Sequence, residues 1–321
     1  MNMDNQLHQA LLTEIQKRFP KSSAMINALA EILRIEKGAV YRRLRQEVPF
    51  TFNEISIIAK NLMISLDNLI GIEGQKSIPF QMQLPDFLFP QDSDYYILNT
   101  HITFLRSINQ SVNSVIASAS NALPYDLSFK FPYLTLLYFF KWNFHYNNDK
   151  VIPYHQVAIQ PEIEGILAEY TMEIKKINKT CYIFDNRIFR LIVDDIHYFN
   201  SIRLVEKNDI QKIKEDLFSM LDYLEQMAIT GQFQETGNPV NLYISDVDIT
   251  TSYSYLESEN IHFSMVKTFI LSSVNSTDEN TFERMKKWIH SLIKISTLIT
   301  STNERQRVMY FERQRKIVNE L

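Results

Sequence analysis

Glycine is scarce in this chain of 321 residues: there are six, and neither the GxGxxG nor the GxxxxGK(S/T) pattern occurs. That excludes the glycine-rich loops that cradle phosphates in the common nucleotide-binding folds. Cysteine is scarcer still. Cys181 alone allows no internal disulfide and no multi-thiolate zinc site, which fits a reducing compartment. Long apolar runs are missing too. The most apolar stretch, Tyr133–Phe140, falls far short of the roughly 20 residues that span a bilayer. It lies between Lys130 and Lys141 and reads as a buried helix, with no membrane contact expected. The opening MNMDNQLHQALL carries neither the basic start nor the apolar run of a signal peptide, so the expected location is cytoplasmic. Nor is there an excess of positive charge. A net charge of −4 means that any nucleic-acid contact must come from a local cluster.

Catalytic patterns are equally sparse. None of the seven histidines (His8, His101, His145, His155, His197, His262, His290) falls in an HxxxH or HExxH arrangement. The acid pairs Asp194-Asp195 and Asp246/Asp248 read more simply as helix-surface and turn residues than as metal ligands. No Gly-x-Ser-x-Gly is present. We therefore expect no catalytic residue, no metal and no cofactor.

What the sequence does hold is 45% apolar and 22% charged residues, the balance of a globular protein, at a length that suits two domains. Leu7, Leu11, Leu12, Ile15 and Phe19 recur at helical spacing up to Pro20. Ser22 or Ser23 can cap a second helix bearing Ile26, Leu29, Ala30 and Leu33. Thr51 opens a fourth helix with Ile55, Ile58 and Leu62 inward, and Ser65 a fifth that ends at Gly71. From Gly71 to Asp92, Pro79, Pro85 and Pro90 break any helix, while Phe80, Met82, Leu84, Phe87 and Phe89 make the segment too apolar for a free linker. Further on, three apolar stripes predict long helices: Ile97, Phe104, Leu105, Ile108, Val112, Val115; Ile210, Ile213, Leu217, Leu221, Leu224, Ala228 up to Gly231; and Phe282, Met285, Trp288, Leu292, Ile295, Ile299 behind Thr277 or Asp278. Between the last two, the alternation of Val240, Leu242 and Ile244 and the runs TTSYSYLE and HFSMVKTFIL predict three antiparallel strands. The expected fold is mainly α. It has a five-helix unit over residues 1–71, an extended proline-rich strap over 72–92, and an α+β domain over 93–321 with a small antiparallel sheet of about three strands.

Two further segments invite a functional reading. The aromatic concentration from Phe129 to Tyr146 suits either core packing or a pocket for an apolar effector, and packing is the plainer account. The C-terminal NERQRVMYFERQRKIVNEL carries RQR twice, but Glu304, Glu312 and Glu320 dilute it, and a solvated or dimer-facing helix is expected.

The stretch LAEILRIEKGAVYRRLR, Leu29 to Arg45, is the most informative. Its first half ends one helix and its second half is a short basic one, with Glu36 the sole acid from Arg34 to Arg45. Ala30 permits a close helix crossing, Ile35 fills the angle, and Val40 and Leu44, four apart, anchor the second helix inward. Lys37, Gly38, Ala39, Tyr41, Arg42 and Arg45 are left on the exposed side and first turn, the layout of a helix-turn-helix. Arg43, beside Leu44, faces either phosphate or solvent. The plain alternative is a helical bundle with a solvated basic face.

Residues 5–71 resemble the Cro/repressor-like helix-turn-helix regulators of the xenobiotic-response-element type. The resemblance rests on L-A-E-x-L at Leu29–Leu33, on Ile35 and Val40, and on the tail FTFNEISIIAKNLMISLDNLIG. It implies a sequence-specific transcriptional regulator that binds double-stranded DNA, with Lys37, Ala39, Tyr41 and Arg42 on base- and phosphate-contacting positions; since one such module touches only one half-site, a homodimer is expected. Arg34 stands where such proteins usually have a turn glycine, and an arginine there accepts a left-handed backbone at some cost. Met25-Ile26 stand where Thr-Gln is frequent, so phosphate anchoring must come from cations such as Arg34, Arg43 and Arg45. The larger C-terminal domain is then expected to dimerise or to sense a small-molecule or peptide effector. An alternative is a protein-interaction or antiphage component whose helix-turn-helix docks a partner protein.

Overall fold

The computed structural model describes residues 3–19, 21–62, 64, 66, 80–146, 151–259 and 261–321. The chain forms two compact units, Met1–Phe80 with Ser276–Thr281, and Gln81–Asn275 with Phe282–Leu321. The first contains α1 (Met3–Arg18), α2 (Ser22–Leu33), α3 (Lys37–Leu44) and α4 (Phe52–Leu62). Its core joins Leu11, Leu12 and Ile15 to Met25, Leu29, Val40, Ile55 and Ile58. His8 stacks on Phe50 with ring centres 5.4 Å apart. The Arg18 guanidinium donates to the Leu62 carbonyl and ties α1 to the end of α4. The residue preceding α2 is Lys21, without a side-chain cap, and not Ser22 or Ser23. Thr51 does cap α4: its hydroxyl accepts the Glu54 amide at 3.2 Å, and Glu54 accepts the Thr51 amide at 2.8 Å. The predicted stop at Pro20 and the fifth helix lie outside the described residues, except for Leu66, which with Ile64 before that helix packs on this core.

The second unit runs β1 (Gln81–Gln83), α5 (Asp92–Asn109), β2 (Val115–Ser120), α6 (Tyr125–Ser128), α7 (Pro132–Tyr146) and α8 (Pro161–Lys175). It continues with β3 (Lys179–Asp185), α9 (Ile188–Ser201), α10 (Lys207–Thr230), β4 (Val240–Ser245), β5 (Tyr253–Glu257) and β6 (His262–Thr268). β7 (Ser272–Ser276), α11 (Glu279–Lys294), β8 (Ser296–Leu298) and α12 (Glu304–Val318) complete the chain, with the last residue of β7 and the first three of α11 grouped with the first unit.

The sheet corrects the expectation of three antiparallel strands. It is mixed and eight-stranded, in the order β1-β7-β6-β5-β2-β3-β4-β8. β2, β3 and β4 pair in parallel at its centre, β5 adds antiparallel to β2, and β6 to β5. The fold is thus mixed α/β: N-terminal helices followed by an α+β region, as expected, but with a larger, mixed sheet. β3 explains why. Tyr182 and Phe184 face one apolar cluster with Leu242 and Ile244, whereas Cys181 and Ile183 face another with Phe282, Ile289 and Leu292 of α11. A strand buried on both faces shows no alternation, so KTCYIFD carries no strand signature.

Helix ends bring further corrections. α5 stops at Asn109, Val112 is exposed, and Val115 already belongs to β2. α10 matches its stripe and ends on Gly231 at φ 69°, a left-handed cap open to glycine without steric cost. Asp278 caps α11 by accepting the Thr281 amide at 2.8 Å. That helix ends at Lys294, so Ile295 is exposed and Ile299 is buried beyond β8. α12 is solvated on one face only, and its other face packs into the unit. Tyr310, Phe311, Gln314 and Val318 are buried, Arg307 donates to the Ile299 carbonyl at 3.0 Å, and Arg315 pairs with Asp222 at 2.7 Å and Glu225 at 2.5 Å. Phe131, Tyr138, Phe139, Phe140 and Trp142 form core, as packing alone requires. No helix among the described residues is long and apolar enough to cross a membrane.

Candidate nucleic-acid interface

α2 buries Met25 and Leu29 and then turns sharply. Arg34 sits at φ 53°, ψ 44°, the Ile35 amide reaches back to the Ala30 carbonyl at 3.1 Å, and Arg34 itself bonds Glu31 at 3.3 Å. This pattern closes a helix end with a left-handed residue, a place where a non-glycine costs about 1–2 kcal/mol. Met25 is core, so its side chain is not offered to a partner; the position has been given to packing.

Glu36 precedes α3 in extended conformation, and its carbonyl accepts the Ala39 and Val40 amides at 2.9 and 3.2 Å. The first turn of α3 has no acidic residue and no side-chain cap, and the acid nearest the positive end of the helix dipole is Glu36 at the N-cap. Val40 is fully buried and Leu44 half-buried, and this pair fixes the rotation of α3 on the core. The opposite side follows from that rotation. Lys37, Gly38, Tyr41, Arg42 and Arg45 are exposed, with Arg34 exposed in the turn and Ala39 half-buried. A Cβ added at Gly38 would meet nothing within 4 Å, so no packing inside the chain asks for glycine there.

Adjacent arginines have opposite fates. The Arg43 guanidinium turns inward and makes a two-pronged contact with Glu54, Nε at 3.0 Å and the second prong at 2.8 Å, and it also donates to the Ala39 carbonyl at 3.2 Å. Burial alone would raise the Glu54 carboxyl. The hydrogen bonds from Arg43 and from the Thr51 amide outweigh it and hold Glu54 below the usual carboxylate range. Arg43 is therefore committed to joining α3 to α4. Arg42 points away and, like Arg34 and Lys37, makes no ion pair with a described residue. Arg45 lies over the Tyr41 ring at 4.6 Å and approaches Glu47 at 3.9 Å. Of the eight residues singled out by sequence, six share one exposed surface, Ala39 is half-buried on α3, and Arg43 is occupied elsewhere. Glu54, the residue that occupies it, is readable in retrospect as the fourth member of the T-x-x-E capping box.

The remaining sequence candidates are engaged structurally. Asp195 pairs with Lys141, Asp194 lies 3.8 Å from Arg190, and Asp248 lies 3.1 Å from Arg187. Among the described residues no group of three or more His, Cys, Asp or Glu side chains is placed to hold a metal ion. Comparison with family models, with curated proteins and with solved structures finds no match to this chain.

Proposed function

We propose that the protein is a sequence-specific, DNA-binding transcriptional regulator of the cytoplasm. In this reading α2, its turn and α3 are a helix-turn-helix of the Cro/repressor-like kind within a five-helix unit, and α3 enters the major groove. One observation carries it. α3 is held from behind by Val40 and Leu44, while Lys37, Tyr41 and Arg42 face outward beside a glycine that packing does not explain. Exposed cations that make no ion pair with a described residue are what phosphate and base edges require, and a missing side chain at the first turn lets a phosphate approach the helix amides. Arg34, Lys37 and Arg45 suit phosphate; Tyr41 and Arg42 suit base edges. One such module covers a half-site, so a homodimer with half-sites about 34 Å apart is the working form, with the larger unit dimerising or sensing an effector.

The stacked Tyr41–Arg45 pair favours a second reading, docking of a partner protein, since Tyr and Arg dominate protein interfaces. Selection from a random duplex library by the full-length protein tests the first reading. Enrichment of one motif, lost in Arg42→Ala at unchanged melting temperature, supports it; failure to enrich any motif refutes it.

A further inference from the structure

The larger unit contains a cavity of about 230 Å³ between the sheet and the helices α5 and α8. Its origin lies in the strand sequences. In register across the sheet, Met265, Ser254, Ser118 and Tyr182 follow one another on β6, β5, β2 and β3. Two neighbouring serines in that row, with Ser120 one step along β2, leave a hollow that larger strand residues would fill. Around it the walls are apolar: Ile102, Leu105, Ile174, Leu256 and Phe263 are among them. An apolar cavity of roughly 150 Å³ is enough to bind benzene. This one has room for a ring or short acyl chain with a polar head.

Its polar groups are few and one is anomalous. Lys267, on β6, lines the cavity with Nζ 4.1 Å from the centre of the Tyr125 ring and 5.7 Å from that of Tyr138. It makes no ion pair and no side-chain hydrogen bond with a described residue. Tyr125 also lines the cavity, and its hydroxyl is shut off from solvent without a hydrogen-bond partner among the described residues. The other charged groups nearby are already committed: the Asp126 carboxyl accepts from the Tyr182 hydroxyl, and Lys141 pairs with Asp195. His101 is hydrogen-bonded to Gln83 at 2.8 Å. A half-buried cation without an anion, in a hollow whose walls are otherwise apolar, is costly unless an anion completes it.

We propose that this cavity binds a small amphipathic monocarboxylate, its carboxylate held by Lys267 beside the Tyr125 ring and its apolar body against Ile102, Leu256 and Phe263. The site belongs to the larger unit alone and does not depend on whether α3 reads DNA. Burial, with a smaller push from Lys141, lowers the Lys267 amine to about 7, so carboxylate binding draws a proton onto it. The other titratable groups around the cavity are Tyr125, Asp126, Tyr170, Tyr182, Tyr253 and His101, with Tyr138 against the amine; burial raises the tyrosines and Asp126 and lowers His101.

Titration calorimetry on the full-length protein, without DNA, tests the proposal with octanoate and phenylpropanoate, each against its matching alcohol. An acid should bind about tenfold or more tightly than its alcohol at neutral pH, the scale of one charge-assisted contact. Whether the octyl or the phenyl acid binds better shows whether the body is acyl or aryl. Lys267→Met should erase the acid preference, and Ser118→Leu, which fills the hollow, should weaken acid and alcohol alike. Affinity for the acid should also fall about tenfold between pH 6.5 and pH 8.5 as the amine loses its proton. Equal binding of acid and alcohol to the unaltered protein, or binding of neither, overturns the proposal, as does an acid preference that survives in Lys267→Met.

Discussion

Two sets of cations in this protein make no ion pair with a described residue, and they differ in what that costs. On α3, Lys37 and Arg42 stand in water, where an unpaired charge is fully hydrated and costs the fold nothing. In the cavity of the larger unit, Lys267 is surrounded by apolar walls and two tyrosine rings, where the same lack is paid in stability. The comparison teaches that exposure decides which measurement reveals a function. A water-exposed cation reports through binding and salt dependence, with melting temperature silent. A buried one reports through stability and pH first.

The largest expected effect lies on the exposed side. Reversing two charges, Lys37→Glu with Arg42→Glu, should weaken DNA binding more than about a hundredfold in an anisotropy titration, because two attractive phosphate or base contacts become repulsive. The melting temperature should stay within about two degrees, as for surface substitutions generally. A parallel loss of stability would show that these residues hold the fold.

The buried side should give the opposite pattern. Lys267→Met is expected to raise the melting temperature by several degrees, on the order of what relief of a buried unpaired charge provides. The pH dependence has a definite sign. The folded value of about 7 lies below the ordinary 10.5, so below pH 7 the amine is charged in both states and the cost of burying it is complete. As pH rises from 7 towards 10.5 the folded chain sheds the proton first and the cost shrinks. Scanning calorimetry should therefore find the stabilisation larger at pH 6 than at pH 9; an equal gain at both would mean that the charge is not what the substitution relieves.

A smaller effect separates two neighbours on α3. Arg43→Ala should lower stability by about 1–2 kcal/mol, since it leaves the largely buried Glu54 without its two-pronged partner. Arg42→Ala should change it by less than about 0.5 kcal/mol. Urea unfolding of both variants checks this, and equal losses would contradict the inward placement of Arg43. Least of all in energy, Arg34→Gly should add up to about 1 kcal/mol by removing the left-handed strain, while lowering affinity about equally for specific and random DNA. An unchanged affinity would show Arg34 to be a tolerated turn residue with no phosphate contact.

The same contrast governs what the sequence discloses. The surface of α3 is legible because it is contiguous: Arg34 to Arg45 contains its turn, its anchors and its cations, and helical spacing alone assigns Val40 and Leu44 inward. The stripe of α10 and its Gly231 cap are legible for the same local reason. The central sheet is not. β3 is buried on both faces and hides its period, and β2 is built of small residues while Val112 and Val115 happen to continue the spacing of α5. Val240, Leu242 and Ile244 do mark a strand, but pairing direction depends on the crossover helices, which makes β4 parallel to β3 and distant from β5 and β6. The cavity is the least legible feature, because Gln83, Ser118, Tyr170 and Lys267 come together only when that sheet has formed. Lys267 inside a strand-forming run looks like any solvated lysine.

The central claim is that the exposed cations around α3 meet DNA phosphate. The most direct test is the salt dependence of binding by the full-length protein to its selected duplex, in the unaltered form and in Arg42→Ala. Arg34, Lys37, Arg42 and Arg45 predict a slope of log affinity against log salt of roughly −3 to −4 per protomer, shallower by about one unit in Arg42→Ala if that side chain reaches a phosphate, and unchanged in slope but weaker in affinity if it reads a base. A slope near zero in the unaltered protein would contradict the account and assign the surface of Tyr41 and Arg45 to a protein partner.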